Sequence, residues 1–347
     1  MITFVFDMKN ITPLNREQAE YLVRVSSRFE ARVLLKYQNR TVNGRSLLGL
    51  LSLGYAGEEP VCVELSGQDE EKAAETLKRI FQEGIILPRT EVDAERLLID
   101  IKTRFSDILS GNLAGLYVHG SLAWGCFNWE TSDIDLLLVL KHEPDTLTKA
   151  RLLKALTDCE DKAPPHGFEM CVITEDECRE IRYPTPFVLH YSAMHRDNYR
   201  EDPLKYCEKM HGTDPDIVCH IAEVRTACIV LLGPPAGRMF GRVKQENLKS
   251  SILADLDESV QNLHNNPVYT ILNICRSVAM LKEGRMMSKR DGGEWALQNL
   301  KQEYQRLIQS ALNAYRGGNE MSYSDDEAEA FCKEYMDIIH RSGAVSL

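Results

Sequence analysis

The chain lacks any apolar run long enough to cross a bilayer. The longest, around Leu136–Leu140 and Ala227–Leu232, fall well short of the roughly 20 residues a spanning helix needs, and no membrane partner is expected. Positive charge is also in short supply. Lys and Arg number 41 against 52 Asp and Glu, a net charge of −11, so a broad electrostatic grip on nucleic acid is not expected. A metal–nucleotide complex or a cationic small molecule is the easier ligand. The ten cysteines include no C-x-x-C pair and no cluster with zinc-ligand spacing. Several of them (Cys62, Cys171, Cys228, Cys275) sit in apolar stretches, where reduced, buried thiols are expected. The opening MITFVFDMKN has no basic lead-in and places Asp7 where a secretory signal is apolar. A cytoplasmic location is expected.

A length of 347 residues with 44% apolar content suggests two or three domains, each with its own core. Residues 1–87 read as a small α/β unit. Strands are expected at Ile2–Phe6, Ala31–Tyr37, Thr41–Val42 and Pro60–Leu65, and helices at Arg16–Phe29, Ser46–Leu53 (stopped by Gly54) and Glu70–Gln82 (ended by Gly84). That order makes an antiparallel sheet with helices on one face. Ile85–Arg89, with Pro88, is the expected linker. Residues 90–215 alternate helix and strand: Glu91–Leu109, Leu116–Val118, Asp133–Leu140, Asp145–Leu156 and Phe168–Ile173. Residues 216–347 read as all helical: Ile217–Leu232, Leu248–Leu263, Val268–Glu283, Gly293–Tyr315 and Asp326–Ile339. The fold class expected is α+β and multidomain: an open-faced β-sandwich, an α/β domain with a mixed sheet, and an all-α domain.

The informative stretch is Gly120-Ser121 followed by Ser132-Asp133-Ile134-Asp135. Side chains alternate along a strand, so Asp133 and Asp135 share a face while Ile134 points into the core. Two adjacent carboxylates repel unless a cation lies between them. Magnesium meets that need, being hard and bound by one or two carboxylates together with phosphate oxygens. Gly120 leaves no side chain in the way of a phosphate, and Ser121 offers a hydroxyl and an N–H at a helix start. A lone D-x-D is more often a solvated strand edge. Here it opens the apolar run LLLVL, directly after a strand–Gly-Ser–helix unit, and that context favours the metal site. Glu169 stands before the apolar strand Met170–Ile173. It can share the metal or take a proton from an attacking hydroxyl, and on spacing alone it reads equally as a surface acid.

The pattern hydrophobic-Gly-Ser, Asp-x-Asp and a distant acid resembles the nucleotidyltransferase superfamily. From about Leu116 to Tyr315 the chain resembles the streptomycin/spectinomycin adenylyltransferases that modify aminoglycosides. The stretches that carry the likeness include GSLAWGCFNWETSDIDLLLVL, FEMCVIT and PVYTILNICRSVAMLKEGRMMSKRDGGEWAL. The resemblance implies Mg2+ on Asp133 and Asp135, Glu169 as general base toward the acceptor hydroxyl, and nucleotide phosphates against Gly120, Ser121 and Ser132. It also implies ATP held by Arg276 and Lys289, which by pattern alone are a helix-surface arginine and a loop lysine. AMP would pass from ATP to a hydroxyl of an aminoglycoside or similar molecule, with pyrophosphate leaving from a cleft between the α/β and helical domains. Two departures concern the acceptor. Met194 stands where the family has a drug-holding tryptophan, and amides fill the run QNLHNNP, Gln261–Pro267, in place of acids, which weakens a charged grip on a cationic drug.

Residues 1–86 resemble the histidine-containing phosphocarrier (HPr) of the sugar phosphotransferase system, through ARVLLKYQNRTVNGRSLLGLLSLG and VCVELSGQDEEKAAETLKRIF. Asn15 stands at the phosphorylated histidine's place and Glu17 at that of the supporting arginine. An amide is not that nucleophile, so the unit is expected to be non-catalytic, for docking or regulation, with phosphotransferase proteins as candidate partners. Ser46 matches a regulatory serine of that family and is read first as a helix N-cap. The alternative for the whole chain is an ATP-sensing regulator linked to that transport system.

Overall fold

The computed structural model describes residues 1–6, 14, 16–27, 29–53, 60–83, 91–318 and 320–344. The expected linker Ile85–Arg89, the helix-stopping Gly54 and Gly84, and Asn15 lie outside the described residues. The chain divides into two compact units, Met1–Arg89 and Thr90–Leu347.

The first unit runs β1 (Ile2–Phe6), α1 (Arg16–Ser26), β2 (Arg32–Tyr37), β3 (Arg40–Asn43), α2 (Leu47–Ser52), β4 (Val61–Ser66) and α3 (Glu70–Glu83). The strands form one sheet in the order β1-β4-β2-β3, and every pairing is antiparallel. Alternate residues Val33, Leu35 and Tyr37 of β2 and Val61, Val63 and Leu65 of β4 are buried with Leu22 and Val25 of α1 and Leu77 of α3. Period-2 strands therefore meet amphipathic helices on one face. Ser46 caps α2 by accepting the Gly49 N–H at 3.1 Å, the role preferred for it above.

The second unit runs α4 (Glu91–Leu109), β5 (Leu113–Val118), α5 (Gly120–Ala123), β6 (Ile134–Leu140), α6 (Thr146–Thr157), β7 (Phe168–Thr174), α7 (Glu175–Arg179), β8 (Thr185–Phe187), β9 (Leu189–Tyr191), α8 (Arg196–Glu201), α9 (Pro203–Lys209), β10 (Gly212–Asp214), α10 (Ile217–Thr226), β11 (Ile229–Leu232), α11 (Ala236–Met239), α12 (Gln245–Gln261), α13 (Pro267–Glu283), α14 (Lys289–Asn299), α15 (Gln305–Tyr315) and α16 (Asp325–Ala344). Its main sheet has the order β11-β5-β6-β7-β9. Only β6 and β7 pair in parallel; the other neighbours are antiparallel. Along β6, Ile134, Leu136, Leu138 and Leu140 pack with Phe105 of α4 and Leu152 of α6. Leu137 and Val139 pack on the opposite face with Ile217, Val218 and Ile221 of α10. A strand covered on both faces reads as the continuous apolar run LLLVL. Helices α12 to α16 enclose a separate core around Ile271, Leu272, Ile308 and Phe331.

Two expectations need correction. The helix read over Ile217–Leu232 ends at Thr226, and Ile229–Leu232 becomes the edge strand β11, paired to β5. A short apolar run does not distinguish a helix turn from a strand, and the open edge of β5 decides it. The all-helical part thus begins at Ala236, not at residue 216. The helix read over Gly293–Tyr315 is two helices. Leu300 is extended, and the Lys301 N–H donates to the hydroxyl of Tyr335 on α16 at 3.2 Å, so packing rather than local propensity places the break.

Asp69 ties the start of β2 to α3 by accepting the N–H groups of Glu30 at 2.9 Å and Ala31 at 2.7 Å. These bonds, the Glu30 amide foremost, hold its carboxyl below the usual range. A depressed folded pKa contributes stability above the unfolded value of about 4 that is lost as pH falls through the folded one. Asp69→Ala is therefore expected to speed hydrogen exchange of the Ala31 amide at neutral pH. The difference from wild type should shrink below about pH 4; equal exchange rates at pH 7 contradict this role.

Candidate active site

Strand parity assembles the site. Tyr117, Leu137, Val139, Cys171 and Ile173 share the face covered by α10. With period 2, His119, Asp135 and Glu169 at the ends of β5, β6 and β7 fall on that face too. Asp135 and Glu169 are direct partners in the parallel register. Asp133 precedes β6 with the same parity. Carboxylate oxygens of Asp133, Asp135 and Glu169 lie within 4.8 Å of one another, the one such group among the described residues.

Gly120 makes this edge possible. It takes φ +61°, and a Cβ there would lie 1.8 Å from Asp135 Oδ2. The chain thus turns into α5 directly against the carboxylate, a conformation and a clearance that favour glycine. The His119 N–H donates to the Asp135 carbonyl at 3.1 Å. Ser132 is buried, and its hydroxyl accepts the Asn128 N–H at 3.1 Å, fixing the loop that delivers Asp133.

The opposite wall is helical. Asp216, His220 and Glu223 recur at helical spacing along one stripe of α10, and Tyr269, Arg276 and Met280 likewise along α13. These residues line one cleft of about 310 Å³ together with Gly120, Ser121, Ser132, Asp133, Asp135, Glu169 and Lys289. Lys289 opens α14, whose N-cap Ser288 accepts the Asp291 N–H at 3.0 Å. Its ammonium lies 4.1 Å from the centre of the Tyr269 ring, within cation–π range. Gly292 lets α14 approach closely, since a Cβ there would meet Arg276 Cα and Cβ at 2.5 Å. The structure thus brings Gly120, Ser121, Ser132, Asp133, Asp135, Glu169, Arg276 and Lys289 to one cleft.

An acidic edge faces a helical wall that carries Arg276 and Lys289 together with Asp216, Glu223 and Asp255. Burial, then Asp133, pushes the Asp135 carboxyl well above its usual range; burial and Asp133 likewise raise Glu169. Burial pushes His220 down to about 4 and Asp216 up to about 7, with Asp255 adding to the latter. Burial also lowers Lys289, aided by Arg276. Glu223 is the exception: burial opposes its charge, yet His119 and Arg276 hold its carboxyl low. Carboxylates that raise one another's proton affinity, with hard oxygen donors converging, fit a divalent cation such as magnesium.

Sequence reasoning missed His119, Asp216, His220, Glu223, Asp255 and Tyr269, all of which line the cleft. The signal available for three of them is the helical spacing of Asp216, His220 and Glu223 beside the apolar Ile217, Val218, Ile221 and Val224. Met194 is 86% exposed, and neither it nor any residue of 261–267 is among those lining the cleft.

Residues 238–338 match the family "Aminoglycoside adenylyltransferase, C-terminal domain". A spectinomycin 9-adenylyltransferase of Staphylococcus aureus is 26% identical over 215 residues, 61% of this chain and 81% of the relative. An aminoglycoside (3'') (9) adenylyltransferase of Escherichia coli is 24% identical over 258 residues, 68% and 94% of the two chains. The chain is a nucleotidyltransferase similar to the aminoglycoside adenylyltransferases. A spectinomycin adenyltransferase from Enterococcus faecialis, solved with ATP and spectinomycin, shares its fold, with a TM-score of 0.62 at 16% identity over 71% of this chain and 99% of that one. Residues 3–83 match the family "PTS HPr component phosphorylation site". No described helix is long and apolar enough to cross a membrane.

Two glycines separate clash from strain. Gly120→Ala is expected to weaken ATP binding in the presence of magnesium at least about tenfold, by displacing Asp135. Gly125 has φ +64° and open space where a Cβ would lie, so its substitution by Ala should cost only about 1 kcal/mol of stability. Equal binding losses in both variants, read by calorimetry, contradict this reading of Gly120.

Proposed function

We propose that the second unit transfers AMP from ATP to a hydroxyl of an aminoglycoside or a similar small molecule, releasing pyrophosphate. The observation that carries this reading is the convergence of Asp133, Asp135 and Glu169 within 4.8 Å in a cleft that also holds Arg276 and Lys289. Asp133 and Asp135, with Glu169 beside them, would hold magnesium, which when bound offsets the charge of carboxylates and phosphates. Glu169, whose carboxyl is raised by burial, takes the proton of the acceptor hydroxyl. The hydroxyl oxygen then bonds to the α-phosphorus as the bond to the pyrophosphate oxygen breaks. Arg276 and Lys289 stabilise the charge that collects on the leaving pyrophosphate. Gly120, Ser121 and Ser132 border the phosphates, and Ser121 Oγ, buried without a partner, is available to them.

The first unit is read as a non-catalytic docking or regulatory module whose partners are proteins of the sugar phosphotransferase system. Asn15 at the histidine's place supports the loss of phosphoryl transfer. A cytoplasmic location accords with ten free cysteines.

Incubation with labelled ATP, magnesium and a panel of aminoglycosides, read by mass, should give an acceptor enlarged by one AMP. Asp133→Asn and Asp135→Asn should each lower pyrophosphate release at least about a hundredfold. ATP binding without turnover on any member of the panel would instead favour an ATP-sensing regulator.

A further inference from the structure

Glu223 has no part in the chemistry assigned above, yet it bridges both walls of the cleft. It sits on α10 and is 8% exposed. Its Oε1 accepts a hydrogen bond from the Arg276 guanidinium of α13 at 2.9 Å. Its Oε2 stands 3.5 Å from Nδ1 of His119, the residue that follows β5 and whose N–H holds the Asp135 carbonyl. One carboxylate thus hydrogen-bonds Arg276 of the helical layer and faces, without a hydrogen bond, the His119 ring, whose backbone N–H holds the strand bearing Asp135. A buried carboxylate is costly without partners, and here both oxygens face cationic or donor groups.

An arginine carries five donors in a planar fork. A fork anchored by one N–H at Glu223 loses less rotamer freedom when an anion arrives at the others, so pre-ordering it strengthens anion binding. Resting on the reading that the cleft binds ATP, we propose that Glu223 is a positioning residue that sets the Arg276 guanidinium against the triphosphate, in register with the Asp135 strand. It touches neither nucleotide nor acceptor and acts through Arg276. The group it serves is the β,γ-phosphate portion of the nucleotide, because that is where charge accumulates as pyrophosphate leaves.

Calorimetry with ATP and with AMP, each with magnesium, separates positioning from mere structural support. Glu223→Ala should weaken ATP about tenfold or more while leaving AMP, which lacks the β,γ-phosphates, within about twofold. Glu223→Gln, which keeps an acceptor for Arg276, should lose about threefold on ATP. In an Arg276→Ala background neither substitution should weaken ATP further. Equal losses for ATP and AMP, or losses that multiply with Arg276→Ala, overturn the proposal. If Glu223→Ala does not fold, the Gln variant in the two Arg276 backgrounds decides in the same way. If the wild type binds neither nucleotide, the adenylyl-transfer reading fails by itself. The positioning role is then settled by the crystal structure of Glu223→Gln or Glu223→Ala: a displaced Arg276 guanidinium supports it, and an unmoved one refutes it.

Discussion

Three carboxylates held close together repel, and the rest of the second unit is arranged around that fact. Two unit charges within 4.8 Å of one another repel by at least about 3 kcal/mol at an effective dielectric of about 20. Three such pairs form a load that folding sustains only with compensation elsewhere or with a cation at the centre. Burial first, and then the Asp133 charge, raise the carboxyls of Asp135 and Glu169. The cationic wall of Arg276 and Lys289 opposes the repulsion from the helical side, and Gly120 clears the space in which it is concentrated. In the proposed reaction magnesium would relieve this repulsion, and the phosphates of ATP would meet Arg276 and Lys289.

The sheet supplies the precision. Both faces of β6 are covered, so its register is fixed by two cores at once, and a slip by one residue would exchange Asp135 for Ile134. Pairing in parallel with β7 then sets Glu169 beside Asp135 without any contact between the acids being needed to align them. On the other side, α10 uses one stripe to cover Leu137 and Val139 and its neighbouring stripe to present His220 and Glu223. Stability and chemistry thus share a helix, and Arg276 reaches the acidic edge through that helix rather than across open solvent.

Much of this was legible in the residues. Alternation around Asp133-Ile134-Asp135 and the apolar run after it place two carboxylates at the mouth of a buried strand, and caps such as Ser46 follow from local hydrogen bonding. The unread parts depend on partners distant in sequence. Glu223 looks like any helical glutamate until Arg276 and His119 arrive from elsewhere in the chain. Ile229–Leu232 becomes a strand because β5 has an open edge, and the break at Leu300 exists because Tyr335 accepts the Lys301 N–H. Met194 and the amides of 261–267 enter as acceptor contacts only by resemblance, whereas the cleft wall is formed by Asp216, Asp255 and Tyr269.

The central claim is that Asp133, Asp135 and Glu169 form a single divalent-ion site. Electron paramagnetic resonance of Mn2+ titrated into the protein with ATP tests it most directly. The account predicts saturable Mn2+ binding that is lost in Asp135→Asn and weakened in Glu169→Gln, with folding retained in both. Mn2+ binding that is unchanged in both variants would contradict it.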